Sequence, residues 1–392
     1  MTTAASRSAA NAPARVPVER LASGDFAGSV KPDDLVYFLL NVGDGDTQLV
    51  LLPARRDGTR RALVVDIATT KKLPALLRAL AEAELLPGRP EDNYLFPLVV
   101  ATHPHDDHIG GMPEFLLAFG DAIREYWEPG YYHPSEAYLE TMRILEDADP
   151  SIQHTQPTSG TTRFLGRVKV QVLSPSIALR SRFDTYGVEL NDSSIALRIE
   201  FPASRVQETS FRRTYVRPKT FTMVLGADSL LASWSQVLVD YPEVHAERGR
   251  TAKLLQKAIG RDALRAEAFK IPHHASKHGV TLGLLEVVRP SLSFISSVGG
   301  GGKYNFPHLV ALEAVREARD PIALSGATRR PDHELGIHQT AAMDSEGKPL
   351  GALALVVSPG RRRRELWRFG DRPTEAVDLA AARRFLPRPT TG

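Results

Sequence analysis

Short apolar runs that end near Gly, Pro, Asp or Ser recur along the chain: Leu35–Leu40, Gln48–Leu52, Ala62–Asp66, Leu98–Thr102, Val168–Leu173, Ser194–Phe201, Phe221–Gly226, Ala268–Ile271, Leu292–Ser296 and Gly351–Val357. Their Val, Leu and Ile content and their punctuation predict strands. Between some of them, apolar residues fall at helical spacing. Lys72–Leu85 predicts a helix that stops at Pro87-Gly88, and Met112–Tyr126, Glu136–Glu146, Leu230–Tyr241 and Ala263–Ala266 are further candidates. Strands outnumber helices, and the helices lie between groups of strands. That pattern suits two sheets face to face with helices outside, an α/β (α+β) fold of four layers, αββα.

Composition narrows the chemistry more than the fold. The 392 residues are 42% hydrophobic and 24% charged, as in ordinary globular proteins. There is no cysteine, so disulfides, thiolate metal sites and thiol nucleophiles are excluded, and any metal must be held by His and carboxylates. Residues 1–32, rich in Ala, Ser, Arg and Pro without an apolar core, read as a disordered leader. Residues 33–370 read as one domain and 371–392 as a basic C-terminal tail. No run approaches the roughly 18 apolar residues of a membrane span, so a cytoplasmic protein is expected. No internal repeat is visible.

Net charge is +3, unevenly spread. Residues 201–225 carry +4 and residues 356–392 carry +5, which leaves −6 for the rest. Clustered Lys and Arg suggest a polyanionic partner, against the alternative of solvated loops.

The strongest chemical signal follows the strand Leu98–Thr102. It runs directly into His103-Pro104-His105-Asp106-Asp107-His108, then into Ile109-Gly110-Gly111, where the backbone can turn before a helix from Met112. Three imidazoles and two carboxylates in one loop offer nitrogen and oxygen donors suited to Zn²⁺, with Mn²⁺ or Fe²⁺ as alternatives. A single surface histidine needs no function; three in six residues behind a buried strand do.

This segment resembles the His-x-His-x-Asp-His signature of the metallo-β-lactamase superfamily. The resemblance implies that His103 and His105 bind one metal and that Asp107 and His108 bind a second. Asp66, closing Leu63-Val64-Val65-Asp66, resembles the family's strand-end Asp that supports the histidine loop. Asp228, in Met223-Val224-Leu225-Gly226-Ala227-Asp228, resembles its metal-bridging Asp. Within the family, Asn41-Val42-Gly43-Asp44-Gly45-Asp46, Asn191-Asp192-Ser193-Ser194, His273-His274-Ala275-Ser276 and Asn305-Phe306-Pro307-His308 are similar to motifs of the hydrolase domain of the DNA-uptake protein ComEC and its soluble relatives. The chain departs from that pattern at Asn41, Asp44 and Ala275, and it has no evident third-motif His between His108 and Asp228. His133 and His154 are the only histidines there, and Asn191 is the other candidate for that place. His274 aligns with the late metal ligand, and His273 with an orienting or substrate-contacting position; the reverse also fits.

The resemblance implies a metal-dependent hydrolase with two divalent ions, Zn²⁺ or Mn²⁺, bridged by Asp228 and supplying a metal-activated hydroxide. Asp107, His108 and Asp228 are its expected catalytic centre. Asp66 is expected to orient a ligand, and Lys277 or His308 to hold a phosphate or protonate a leaving group, against the plainer reading of each as a surface residue. The ComEC-like motifs and the aromatics Phe211, Tyr215, Phe221 and Trp367 beside basic residues favour a phosphodiester or nucleic-acid substrate. The alternatives are an esterase or lactonase, and a weakly catalytic module regulated by a partner. Gly299-Gly300-Gly301-Gly302-Lys303 lacks the spacing of a phosphate-binding loop and reads as a flexible loop near the site.

Overall fold

The computed structural model describes residues 14–86, 94–147, 152–180, 189–203, 205–209, 212–216, 219–241, 264–321, 329–361 and 363–386. Two large sheets dominate. In the ten-stranded sheet the order is 21–23, 383–385, 364–368, 353–357, 35–39, 47–51, 62–67, 98–100, 125–127 and 153–155. In the seven-stranded sheet it is 337–339, 292–295, 268–270, 221–225, 196–201, 168–174 and 162–165. All ten strands expected from the apolar runs are present, with ends moved by a residue or two.

Three apolar cores show how the layers stack. Between the sheets lie Tyr37, Val50, Val65, Val100, Leu197, Met223 and Phe294. Outside the ten-stranded sheet, helices Lys72–Glu82, Met112–Phe119 and Glu136–Asp147 pack through Leu73, Leu76, Leu80, Phe115, Leu116 and Ile144. Outside the other sheet, helices Leu231–Asp240, Leu282–Val288 and Leu309–Arg319 pack through Trp234, Val237, Leu285, Leu312 and Val315. The αββα expectation holds, because strands buried on both faces are apolar throughout while each helix has one apolar stripe. Among the described residues no helix is long and apolar enough to cross a membrane.

Several expectations need correction. The helix expected over Met112–Tyr126 ends at Phe119, and Glu125–Trp127 is a strand paired in parallel with Val99 and Val100. Leu264–Ala266 is not helical, although Leu264 and Ala266 are buried; Ala263 lies outside the described residues. Residues 14–32 are built into the fold rather than forming a leader. Leu21–Ser23 pairs with Arg383–Phe385, Asp25 caps the short helix Phe26–Ser29 through Gly28 N–H at 2.9 Å, and Phe26 is fully buried against Phe38, Trp367 and Phe369. Residues 1–13 lie outside the described residues.

Residues 371–386 are likewise built into the fold rather than forming a tail, and 387–392 lie outside the described residues. Arg383–Phe385 is a sheet strand, and Asp371 is buried 2.5 Å from the Lys72 ammonium. Of the arginines in the basic stretch 356–392, Arg363 pairs with buried Asp34, Arg383 with Asp344, and Arg368 is fully buried. Trp367 and Phe221 lie in apolar cores, so neither offers a face to a base. Phe211 lies outside the described residues; Tyr215 lies in the strand Arg212–Val216, paired with Arg205–Thr209.

Candidate metal centre

The site forms where the sheets meet at the carboxyl ends of their parallel strands. Strand Leu98–Val100 is paired with Leu63–Val65 on one side and with Tyr126-Trp127 on the other, so it delivers its next residues to one fixed point. There Thr102 N–H donates to Asp66 Oδ1 at 2.7 Å, and Ile195 N–H donates to the Thr102 carbonyl at 2.9 Å, joining the loop to the second sheet. The loop then turns into the short helix Asp106–Ile109. Gly110 and Gly111 are required by close approach: a Cβ on Gly111 would lie 2.5 Å from the Thr69 backbone. Asp228 follows strand Phe221–Leu225 through Ala227, whose φ is 46°. His273 and His274 follow strand Ala268–Lys270 in left-handed backbone, with φ 49° and 53°, and Ala275 continues it at 63°. Strain of this kind at non-glycine residues concentrates at functional sites.

Asp107, His108, Asp228 and His274 place ligand atoms within 4.8 Å of one another. Two imidazoles are oriented from behind. His108 Nδ1 lies 2.7 Å from Asp66 Oδ2, and His274 Nδ1 donates to the Ser296 carbonyl at 2.9 Å. Each ring therefore turns Nε2 inward, where it sits 3.2 Å (His108) and 3.6 Å (His274) from Asp228 Oδ1. His108 Nε2, His274 Nε2 and Asp228 Oδ1 are buried with no hydrogen-bond partner. Unpaired buried polar atoms are costly. Three of them aimed at one point, two imidazole nitrogens and a carboxylate oxygen, fit a divalent cation such as zinc.

A second group faces the other oxygen of Asp228. His103 Nε2 is 3.0 Å from His105 Nδ1 and 3.9 Å from Asp228 Oδ2, and His273 Nε2 is 3.7 Å from the same oxygen. His273 thus shares this oxygen of Asp228 with His103. The Asn191 amide lies 3.4 Å from His273 Nε2, so it adjoins this group. His133 sits beside His105, ring centroids 5.2 Å apart, and His154 pairs with Glu128 instead. Both adjacent histidines therefore face Asp228, one toward each oxygen.

Electrostatics separate these imidazoles. Burial, opposed by Asp228, takes His273 down to about 4, and burial with the neighbouring His108 lowers His103 well below the ordinary range. Burial also lowers His105. Neutral rings keep the lone pairs a cation needs. For His108 the carboxylates of Asp228 and Asp66 outweigh burial and raise it. Asp107 is lowered despite partial burial, by the nearby imidazoles of His274, 3.7 Å away, and His108.

Beneath the centre a fully buried ion pair, Lys270 with Asp46, links strand Ala268–Lys270 of one sheet to the start of Thr47–Leu51 in the other. Asp46 N–H also donates to the Asp107 carbonyl at 3.0 Å. Neither residue carries a role in the sequence reading; the available signal was a lysine inside the otherwise apolar run Ala268–Ile271. At the mouth, the glycine-rich loop packs on Asp44, whose Oδ1 accepts from Val298 N–H at 2.9 Å. Lys303 lies over the Tyr304 ring at 4.8 Å and is raised mainly by Tyr304, with a smaller contribution from Asp107. Tyr304 stacks on Phe306, which touches both His273 and His274. Lys277 is exposed, and His308 starts helix Leu309–Arg319 with its ring against Phe306; neither touches the cluster directly.

An αββα sandwich with histidines and aspartates gathered at the strand ends defines a metal-binding α/β protein. Residues 57–175, less than half of the chain, match the family model described as Metallo-beta-lactamase superfamily. No curated protein matches the sequence. Among solved structures, the chain is similar to CmlA, a diiron beta-hydroxylase from Streptomyces venezuelae, at 12% identity and TM-score 0.36, covering 78% of this chain and 52% of that one. It is also similar to the metallo-beta-lactamase fold protein YhfI from Bacillus subtilis (12%, TM-score 0.34, covering 67% and 86%) and to a long form RNase Z from yeast (14%, TM-score 0.33, covering 68% and 38%). The chain spans about half the length of CmlA. Likenesses this distant say nothing about substrate.

Proposed function

We propose that the protein is a metal-dependent hydrolase acting on phosphodiesters, as a phosphodiesterase or nuclease. The observation that carries the metal-dependent reading is the convergence of unpartnered, buried His108 Nε2, His274 Nε2 and Asp228 Oδ1. Asp107, His108, His274 and Asp228 would hold one divalent ion, and His103, His105, His273 and Asp228 a second. The nitrogen and carboxylate donor set suits Zn²⁺, with Mn²⁺ as the alternative. Bound there, such ions lower the pKa of a water toward neutrality and polarise the oxygen of a scissile group.

The chain's own residues supply the rest. Asp66 and the Ser296 carbonyl fix which nitrogen His108 and His274 present. The left-handed turn at His273 and His274 aims the rings in different directions. Lys303, exposed over the Tyr304 ring beside the site, would bring an ammonium toward a non-bridging oxygen of a phosphodiester, which supports that substrate over a neutral ester. No side-chain nucleophile is required.

The test is turnover of bis(4-nitrophenyl) phosphate and of single- and double-stranded DNA and RNA with Zn²⁺ or Mn²⁺, beside 4-nitrophenyl acetate. Metal-dependent cleavage of a phosphodiester, lost in Asp107→Ala and His108→Ala, is expected. Hydrolysis of the carboxylic ester alone would overturn the substrate assignment.

A further inference from the structure

A groove of about 670 Å³ lies at the opposite end of the sandwich from the metal centre. Its position follows from strand direction. Ser291 and Leu292 open the strand whose far end leads to Ser296 and His274, and Gly336 opens the parallel strand beside it. On the facing sheet, Arg364 opens a strand antiparallel to Leu353–Val357, and Leu353 is paired with Leu39 at the site end. The groove therefore opens where edge strand Ile337–Gln339 and the next-to-edge strand Arg383–Phe385 flank the inter-sheet core.

Its lining is basic. Five arginines (20, 319, 363, 364 and 384) face two acids, Glu334 and Glu365. Glu365 is shared by Arg363 at 3.5 Å and Arg384 at 3.3 Å, and Arg363 also holds Asp34. Arg20, Arg319 and Arg364 have no carboxylate within ion-pair distance among the described residues. Arg20 lies over the Phe385 ring at 5.5 Å, and its Nε is buried without a hydrogen-bond partner. Arg364 is exposed.

A second observation points the same way. His338 lines the groove at 6% exposure, its ring packed on Phe294 and Phe385, with no side-chain hydrogen bond or ion pair among the described residues. Burial and the buried guanidinium of Arg368 hold it down to about 3, so it is a neutral ring able to donate to an anion. A polar side chain this enclosed ordinarily has a partner. The guanidinium groups around it that face no carboxylate among the described residues suit an anion, because planar N–H forks match phosphate oxygens.

We propose that this groove is a second, metal-independent binding site for a nucleotide phosphate, held by Arg20, Arg364 and His338 against the Phe385 ring. The volume suits a nucleotide-sized ligand. The phosphate can belong to a free mononucleotide or to the end of a strand, and the assignment stands whether or not the metal centre cleaves phosphodiesters.

Calorimetric titration of the full chain with AMP, with adenosine, and with a short oligonucleotide bearing or lacking a 5′-phosphate tests it. The Asp107→Ala, His108→Ala protein is titrated in parallel to remove the contribution of the metal centre. Binding is expected to require the phosphate, to persist in that protein, and to weaken by about tenfold or more in Arg20→Gln, Arg364→Gln, as when charge-assisted hydrogen bonds are lost. Arg364→Gln alone, at an exposed position, gives a smaller loss in a protein whose unchanged Tm shows it folded. AMP binding places a mononucleotide in the groove; binding of the phosphorylated strand alone assigns it to strand ends. Equal binding of AMP and adenosine, unchanged affinity in the double variant, or no binding of any of the four would overturn the proposal.

Discussion

Asp66 never meets solvent, yet it decides what His108 can do. Its two oxygens take Thr102 N–H, the Thr102 hydroxyl and His108 Nδ1, so the ring is locked with Nε2 toward Asp228. Asp66→Ala is expected to weaken metal binding by about 10–100-fold, the usual cost of losing an outer support of a ligating histidine; metal competition against a chromophoric chelator measures it, and unchanged affinity would remove Asp66 from the site. His273→Ala should strip the ion of the His103, His105 group and leave the one held by Asp107, His108 and His274, as read by elemental analysis after dialysis. Loss of both ions, or of neither, would refute the division of the two histidines. Beneath them, Lys270→Met leaves Asp46 as a buried, unpaired charge and is expected to cost about 3–5 kcal/mol in urea unfolding; Lys270→Met with Asp46→Leu should recover most of it. The residues of the histidine loop were legible because donors within six consecutive residues must be neighbours. The partition of His273 from His274 was not, because it depends on a left-handed turn that adjacent letters do not encode.

At the scale of elements, periodicity located every strand that is apolar along its whole length and missed those whose pairing makes them strands. Glu125–Trp127 follows a good amphipathic helix and continues its pattern, so only its place beside Val99 and Val100 reveals it. The helices Leu282–Val288 and Leu309–Arg319 escaped notice, although Thr281 is a usable cap that accepts from Leu284 N–H at 3.2 Å. The turn from the histidine loop into helix Met112–Phe119 was read correctly from Gly110-Gly111, but the sequence suggested flexibility where the structure shows contact. A Cβ on Gly111 would strike the Thr69 carbonyl, and φ there, −104°, is ordinary. Gly111→Ala should therefore destabilise through collision, by about 1–3 kcal/mol in denaturant unfolding, and should lower activity by tilting His108. A stabilised variant would show instead that the glycine serves only chain entropy.

For the whole molecule, the ends of the chain are the main surprise. Phe26 fills a cavity among Phe38, Trp367 and Phe369, and Leu21–Ser23 pairs with Arg383–Phe385, so segments from both halves of the chain build one edge of the ten-stranded sheet together. Phe26→Ala is expected to cost about 3–5 kcal/mol by thermal or urea unfolding, whereas the same change in a disordered leader would cost nothing measurable. The basic C-terminal segment is spent largely inside the fold, with Arg363 on Asp34 and Arg383 on Asp344, so summed charge overstated what is free for a partner. By itself, the sequence determined the layered class, the strand set and the donors of the histidine loop, because these follow from side-chain periodicity and from residues close together in the chain. Only the tertiary structure decided which oxygen of Asp228 each histidine faces, the Lys270–Asp46 pair beneath them and the fate of both termini. Each of those depends on contacts between segments far apart in sequence, whose energy exists only once the two sheets have closed on one another.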